Sequence, residues 1–273
     1  MASDAHSHPF DLSKLYAGAE AERVKLNLVC AASAWRQEEF LYNENAARAF
    51  PMALCFAVHP QLPSQLASHG ASGEGGCALK TVRDSLSLLS ELAAGGRIDA
   101  VGETGFDLFN GEFRATEELQ DELFRTHLVV AEGRDLPLVL HVRHAMQKIF
   151  SYSSLLKNIP SVVFHSYSGT AEEAASILRR GVNAYFSFGT AILLNHKNAI
   201  RACAAIDSER LLFETDAPYQ RLPGRNFSTY ADIHLVIEQA ALIKREAGQS
   251  CTKTELERTA DENFYKVYRK MPL

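Results

Sequence analysis

The sequence has little of what membrane and secreted proteins need. No apolar run in its 273 residues approaches the length of a membrane span. Its five cysteines are odd in number, widely spaced and form no Cys-x-x-Cys pair, which favours reduced thiols over a disulfide framework. The N-terminal segment lacks the basic and apolar regions of a signal peptide. We therefore expect a cytoplasmic protein with no membrane association.

An excess of basic charge is also missing. The chain has 28 Lys and Arg residues against 33 Asp and Glu residues, for a formal net charge of −5. A protein that tracks long duplex DNA usually presents a basic face, so this balance argues against tight, non-specific nucleic-acid binding. It still allows a local basic pocket, or metal ions that supply positive charge. Ten histidines are enough to build a metal site.

No Gly-x-Gly-x-x-Gly motif follows the first predicted strand, which disfavours an open dinucleotide-binding sheet. Instead, short apolar segments of strand type alternate with segments of helical periodicity along the chain. Such alternation predicts a parallel sheet with right-handed crossovers, and about eight units predict a TIM (β/α)8 barrel of the α/β class. No linker or low-complexity segment divides the sequence, so we expect residues 1–273 to form a single domain.

The predicted elements follow one another at short intervals. After a short N-terminal strand that includes residues 4–8, strands are predicted at 24–32, 53–58, 98–101, 136–140, 161–164, 183–188 and 210–213. Helices are predicted at 36–50, 81–94, 117–133, 144–156, 171–180, 198–205, 229–247 and 254–268. The segment 61–77 is rich in Gly and Ser, and its second half is predicted to be a surface loop.

Side chains that commonly bind metals occur where these strands end. His6 and His8 point the same way, because side chains alternate between the two faces of a strand. Similar residues stand at five later strand ends: His59, Glu103, His141, His165 and Asp216. The C-terminal ends of the strands of a parallel barrel converge on one face. We therefore expect these side chains to lie close together.

Buried imidazoles and carboxylates that converge on one point need partners, and divalent metal ions would provide them. Four imidazoles and two carboxylates suit Zn²⁺, Mn²⁺ or Fe²⁺, and Mg²⁺ is compatible through the oxygen ligands. Six ligands exceed what one catalytic ion requires if water is to keep an open position. We predict a two-metal site with a bridging carboxylate, and Glu103 is the residue we choose for that bridge.

Seven motifs occur in a fixed order along the chain. They are DAHSH (4–8), FAVHP (56–60), VGETGFD (101–107), LVLHVRHA (138–145), VVFHSYSG (162–169), LLFETDAPY (211–219) and ENFYKVY (262–268). As a set they resemble the motifs of the TatD family of metal-dependent deoxyribonucleases, of the amidohydrolase superfamily. The resemblance implies a TIM-barrel hydrolase that binds two divalent ions and cleaves phosphodiester bonds of DNA with a metal-activated water.

The resemblance also assigns the six ligands to two ions. Glu103 would touch both ions, and the other five ligands divide between them: His6, His8 and Asp216 for one ion, His141 and His165 for the other. A carboxylate ligand beside the attacking water is placed to accept or relay its proton, and we predict that Asp216 does so.

Other residues are predicted to meet the substrate. We interpret His59 as a phosphate or leaving-group contact, with a structural role as the alternative. Arg143 follows His141 by two residues, so it shares that face and could bind a phosphate through its guanidinium group, unless it forms a surface salt bridge. Phe106 and Phe109 could stack on a base, with packing as the alternative.

The acidic composition favours short, single-stranded or end-directed DNA as the partner, and nothing in the sequence indicates an obligate protein partner. Two rival functions remain open. One is an amide, lactone or ester hydrolase of the same superfamily, in which a carboxylated lysine commonly bridges the metals. Here Glu103 takes the place of that lysine, which favours the phosphodiesterase. A barrel that binds metal without turnover is disfavoured because all six ligands are present.

Overall fold

The computed structural model describes residues 2–69 and 75–269. Eight strands form one parallel sheet, in which each strand pairs with the next along the chain. The strands are β1 (Ala2–Ser7), β2 (Leu28–Ala34), β3 (Met52–Phe56), β4 (Ala100–Asp107), β5 (Leu138–Arg143), β6 (Val162–Phe164), β7 (Ala184–Phe188) and β8 (Leu211–Phe213).

Contacts between β1 and the segment that follows β8 curl this sheet into a nearly closed barrel. Asp216 N donates to His6 O at 3.0 Å, and His8 N donates to Ala217 O at 2.8 Å. The buried Asp4 carboxylate accepts hydrogen bonds from Thr215 N at 3.0 Å and from Thr215 Oγ1 at 2.6 Å. The predicted TIM (β/α)8 barrel of the α/β class is confirmed.

Helices connect successive strands and pack against the outside of the barrel. They are α1 (Pro9–Leu15), α2 (Ala19–Lys25), α3 (Gln37–Ala47), α4 (Leu62–His69), α5 (Gly75–Ala94), α6 (Gly111–Arg114), α7 (Glu117–Gly133), α8 (Met146–Ser151), α9 (Ser153–Leu156), α10 (Ala171–Arg179), α11 (Lys197–Ala205), α12 (Ile233–Glu246) and α13 (Lys253–Val267). Short 3-10 helices cover 190–192, 208–210 and 230–232. Across the part of the chain that the structure describes, no helix has both the length and the apolar character that a membrane crossing requires.

The barrel interior is filled by buried side chains that all eight strands contribute. Val139, Val163 and Leu212 belong to this cluster, as the alternation of side chains along buried strands predicts. Helix α13 packs against the same cluster, where its Phe264 is fully buried and the hydroxyl of Tyr268 donates to Ala5 O at 3.2 Å. This core supports the strands whose C-terminal ends carry the candidate site.

Most predicted elements are present, and the clearest departures lie in strand boundaries. β4 continues through the GETGFD motif and β5 continues to Arg143, so Glu103 and His141 lie within strands instead of after them. The strand predicted at 24–32 begins only at Leu28, because helix α2 extends to Lys25. Asn27, between the helix and the strand, adopts a left-handed conformation with a φ of 53°.

Helices shorter than two turns were the hardest to predict. Helices α1 and α2 have seven residues each, too few to show a clear helical period, and no helix was predicted there. The helix predicted at 144–156 is divided into α8 and α9. The loop predicted in the second half of 61–77 lies largely outside the described residues, although α5 already begins at Gly75.

A buried histidine on α7 makes stability sensitive to pH. His127 is fully buried, its Nε2 accepts a hydrogen bond from Val58 N at 2.9 Å, and its Nδ1 donates to Leu123 O at 2.5 Å. Burial lowers the pKa of His127 from 6.5 to about 4. Because Val58 precedes His59, this neutral imidazole also fixes the backbone that leads into the candidate site.

We expect the free energy of unfolding to decrease as the pH falls from 6.5 to about 4. In that range the unfolded chain binds a proton that folded His127 does not, so acid favours unfolding, by up to about 3 kcal/mol for this group. His127→Gln retains a neutral acceptor and should show a shallower pH dependence. Urea unfolding of both proteins across this range measures the difference. Equal slopes in the two proteins would contradict the assignment to His127.

Candidate metal centre

The six predicted ligands and His59 lie together at the C-terminal end of the barrel. Their donor atoms form three overlapping groups, and within each group these atoms lie within 4.8 Å of one another. The groups are His6 with His8 and Asp216, His6 with Glu103 and His165, and His59 with Glu103 and His141. The barrel therefore brings together residues that span more than 200 positions of the sequence.

Glu103 lies at the centre of these groups, and its two carboxylate oxygens face different histidines. Oε2 is 3.2 Å from His6 Nε2 and 3.6 Å from His8 Nε2. Oε1 is 2.8 Å from His141 Nδ1 and 3.0 Å from His165 Nε2. A carboxylate whose two oxygens face different pairs of histidines has the geometry that a bridge between two cations requires.

The remaining donor set lies between β1 and the segment after β8. Asp216 Oδ1 is 3.3 Å from His8 Nε2 and 3.8 Å from His6 Nε2. The two imidazole nitrogens, His6 Nε2 and His8 Nε2, are themselves 3.2 Å apart. Nitrogen lone pairs and carboxylate oxygens that converge in this way fit a divalent cation, for which such a donor mixture is typical.

Charge interactions within the site are strong because its groups are buried. Burial alone would raise the pKa of Glu103, but the imidazoles of His59, His165 and His6 hold that pKa well below its usual value. Burial would lower the pKa of His165, whereas the carboxylates of Glu103 and Glu214 hold it well above the usual value. Glu103 is therefore anionic and needs cationic partners, a role that protonated histidines or metal ions can fill.

Two acidic residues behind the ligands were missed from the sequence. Asp107 Oδ2 is 3.0 Å from His141 Nε2 and accepts a hydrogen bond from Gln61 Nε2 at 2.6 Å. Glu214 Oε1 is 3.1 Å from His165 Nδ1. Each carboxylate thus contacts the ring nitrogen that points away from Glu103 and orients the histidine. Their even spacing from Glu103 and Asp216 along the chain was the signal that could have found them.

Burial opposes ionisation of Asp107, yet hydrogen bonds from His141 and Gln61 lower its pKa to about 2. Asp107 also accepts a hydrogen bond from Phe109 N at 3.0 Å, so it connects a candidate ligand to the loop after β4.

The residues predicted to meet substrate are placed differently from one another. His59 lies inside the ligand cluster, with Nε2 3.0 Å from Glu103 Oε1, and its role as a phosphate contact stays a prediction. Arg143 lies at the mouth of the site with its guanidinium carbon 3.6 Å from the centre of the Phe109 ring. Within residues 2–69 and 75–269, Arg143 forms no ion pair, so the salt-bridge alternative is not seen.

The two phenylalanines that were predicted to meet the substrate differ in how exposed their side chains are. Phe109 is 45% exposed, which leaves it accessible to a ligand. Phe106 is fully buried, and its ring centre lies 5.0 Å from that of Phe124 on α7. The prediction that Phe106 could stack on a base is wrong, because β4 continues past Glu103 and directs this side chain into the layer between strand and helix.

A cavity of about 670 Å³ opens over the ligands. Its wall includes His8, Glu103, His141, His165 and Asp216 together with Trp35, Arg143, Tyr219 and Arg221. This volume lies within the range of sites that bind small molecules or short segments of a polymer. The cavity therefore gives a ligand access to the candidate metal-binding side chains.

Comparisons with known proteins agree with this arrangement. The model of the TatD related DNase family matches residues 3–269. A Dickeya dadantii protein named 3'-5' ssDNA/RNA exonuclease TatD is 30% identical over 196 residues, which cover 68% of this chain and 70% of that protein. A Bacillus subtilis protein named uncharacterized metal-dependent hydrolase YabD is 28% identical over 201 residues, covering 70% and 73% of the two chains.

The fold is shared with a solved structure. The crystal structure of YJJV, a TatD homolog from Escherichia coli K12, superposes with a TM-score of 0.78 at 22% identity. The superposition covers 98% of this chain and 97% of that chain. At this identity the likeness establishes the barrel and leaves the chemistry to be argued from the site.

Proposed function

Because the chain belongs to the TatD related DNase family, whose members include metal-dependent hydrolases, we propose that it cleaves phosphodiester bonds of DNA with two divalent ions. The observation that carries the proposal is the position of Glu103, whose two carboxylate oxygens face different sets of histidines. A bridge of this kind is typical of two-metal sites that act on phosphate esters.

In this proposal Glu103 would hold both ions. His6, His8 and Asp216, whose donor atoms form one group, would hold one ion with it. His141 and His165, which both face Oε1 of Glu103, would hold the other. The ions are Mg²⁺, Mn²⁺ or Zn²⁺, and when bound they supply positive charge to the phosphate and to the attacking water.

The protein's own side chains hold the substrate and move the proton. Asp216 accepts the proton of the attacking water through its carboxylate, which is held close to His8. Burial alone would raise the pKa of Asp216, but the hydrogen bond with His8 and the charge on His165 hold it below its usual value. His59 and Arg143 contact the phosphate, with the guanidinium group of Arg143 resting on the Phe109 ring.

The proposed substrate is a short or single-stranded end of DNA. The name of the Dickeya dadantii relative, an exonuclease for single-stranded DNA and RNA, supports this choice. The net charge of −5 is unfavourable for binding along a duplex. We further propose that residues 1–273 form one hydrolase domain, that no obligate protein partner is needed, and that the protein works in the cytoplasm. The four described cysteines, all free thiols, are compatible with that compartment.

Metal restoration tests the proposal. We expect metal-stripped protein to leave labelled single-stranded and duplex oligonucleotides intact, and restoration of Mg²⁺, Mn²⁺ or Zn²⁺ to bring back cleavage of the single strand most strongly. Full activity should coincide with two bound ions per chain, counted by elemental analysis. Hydrolysis of a lactone or amide substrate, with no cleavage of any oligonucleotide under any of the three ions, would instead favour the rival superfamily activity.

A further inference from the structure

A second arginine lines the cavity over the metal ligands. Arg221 lies in the segment after β8, on the wall of the same cavity as Arg143, and its side chain is exposed. Within the described ranges 2–69 and 75–269 its guanidinium group has neither an ion pair nor a hydrogen bond. Arg225, four residues later, differs because it pairs with the buried carboxylate of Asp232. Arg221 is thus a cation on the cavity wall, and no carboxylate within those ranges neutralises its charge.

The turn that carries Arg221 is fixed to the metal centre. Gln220 Nε2 donates to Asp216 Oδ2 at 3.0 Å and also to Ser166 Oγ. Gln220 Oε1 accepts a hydrogen bond from Thr190 Oγ1 at 3.2 Å. The neighbouring backbone is held as well, since Arg221 N donates to Tyr219 O at 2.9 Å. The starting point of the Arg221 side chain is therefore set relative to a proposed metal ligand.

The two arginines approach the site from different sides. Arg143 is the last residue of β5, and Arg221 follows β8, three strands further around the barrel. His165 follows β6, which lies between them, and Asp216 follows β8 itself. The acidic side chain of Asp11 also lines the cavity, but it accepts a hydrogen bond from Tyr219 Oη at 2.8 Å and lies 3.9 Å from Lys14 Nζ.

We propose that Arg221 binds a second phosphate of the substrate, across the metal centre from the phosphate that Arg143 contacts. This inference rests on the proposed function and narrows its substrate class to a nucleotide chain with at least two phosphates. The repeated phosphates of a single strand suit two guanidinium groups on different sides of one cavity. An isolated phosphodiester can engage Arg143 and the ions, but it has no second phosphate for Arg221.

The test compares two substrates in the metal-loaded protein: a single-stranded oligonucleotide and bis(4-nitrophenyl) phosphate, which has one phosphodiester. Arg221→Gln should lower the ratio of kcat/KM for the oligonucleotide to kcat/KM for the small ester by about tenfold, as expected for one charge-assisted hydrogen bond. Arg143→Gln should lower kcat/KM for both substrates. Arg48→Gln is the matched control, because this exposed arginine lies between α3 and β3, at the other end of the barrel.

A binding measurement adds a readout that does not depend on turnover. The affinity for the labelled oligonucleotide, followed by fluorescence anisotropy, should fall with salt, and Arg221→Gln should reduce the logarithmic slope by about 0.7. If Arg221→Gln behaves like Arg48→Gln in both measurements while the wild type cleaves DNA, the second-phosphate site is wrong and the proposed function stands. If the wild type cleaves neither substrate, the proposed function fails, and the salt slopes alone decide for or against Arg221.

Discussion

Glu103→Gln should bind at most one divalent ion per chain and lose turnover by roughly a thousandfold or more. Both oxygens of Glu103 face histidine donors, whereas glutamine offers one neutral oxygen and one amide group to the same neighbours. Two cations a few ångströms apart repel each other, and anionic bridges offset that repulsion. Removal of the shared negative charge should therefore affect both ions, although the side-chain size is nearly unchanged.

His165→Ala is the comparison that separates a bridge from a single-site ligand. It should deplete mainly one of the two ions, because His165 Nε2 lies 3.0 Å from Oε1 of Glu103, the oxygen that also faces His141. Both variants should remain folded, since the barrel interior is built from apolar residues such as Val139, Val163 and Leu212. Metal content and thermal unfolding, measured on the same samples, give the result. Two bound ions and wild-type rates in Glu103→Gln would show that this residue is not a bridge.

Gly105→Ala should destabilise the fold by about 3 kcal/mol or more and weaken metal binding at the His141 side of the site. Gly105 has a φ of 134°, a conformation that residues with a Cβ atom rarely adopt. A Cβ atom built at this position would lie 2.3 Å from the backbone oxygen of His141 on the neighbouring strand. Either β4 or β5 must move to relieve this contact, and the movement would displace a ligand.

The matched control for this substitution is Gly133→Ala. Gly133 is the last residue of α7, and a Cβ atom built there meets nothing within 4 Å. We expect no loss of stability, and a gain of up to about 1 kcal/mol because alanine favours the helix. Chemical unfolding and metal titration of the two variants test the contrast. A Gly105→Ala protein with the stability and metal content of Gly133→Ala would mean that the two strands have more space than their backbones indicate.

The sequence was sufficient to predict the barrel and the convergence of the six candidate ligands, because both depend on strong, local patterns. An imidazole or carboxylate at the end of an apolar segment is visible in the sequence, and a parallel barrel brings such ends to one face. Asp107 and Glu214 were missed because their role depends on which ring nitrogen of His141 or His165 faces inward. That orientation is a property of packing: the even spacing of the two acids indicates the face they share with Glu103 and Asp216, but not the ring nitrogen that each contacts.

Two other differences between the sequence predictions and the structure also have a physical origin. Phe106 was considered for base stacking because the strand was expected to end at Val101 and leave it in a loop. The strand continues to Asp107 instead, its side chains alternate, and Phe106 is buried against α7. Arg221 was not considered, because an arginine in an irregular segment has no periodic signal. Its place on the cavity wall follows from the three hydrogen bonds of Gln220.

The closure between β1 and the segment after β8 has a consequence for the order in which the protein is made. His6 and His8 are translated more than 200 residues before Asp216, which lies beside them. The pairing of Asp4 with Thr215 is delayed in the same way. Contacts so distant in sequence form slowly, because a long loop must close before they contribute. A nascent chain that has not yet passed β8 therefore exposes two histidines without their carboxylate partner, and the site is completed only after β8 has been made.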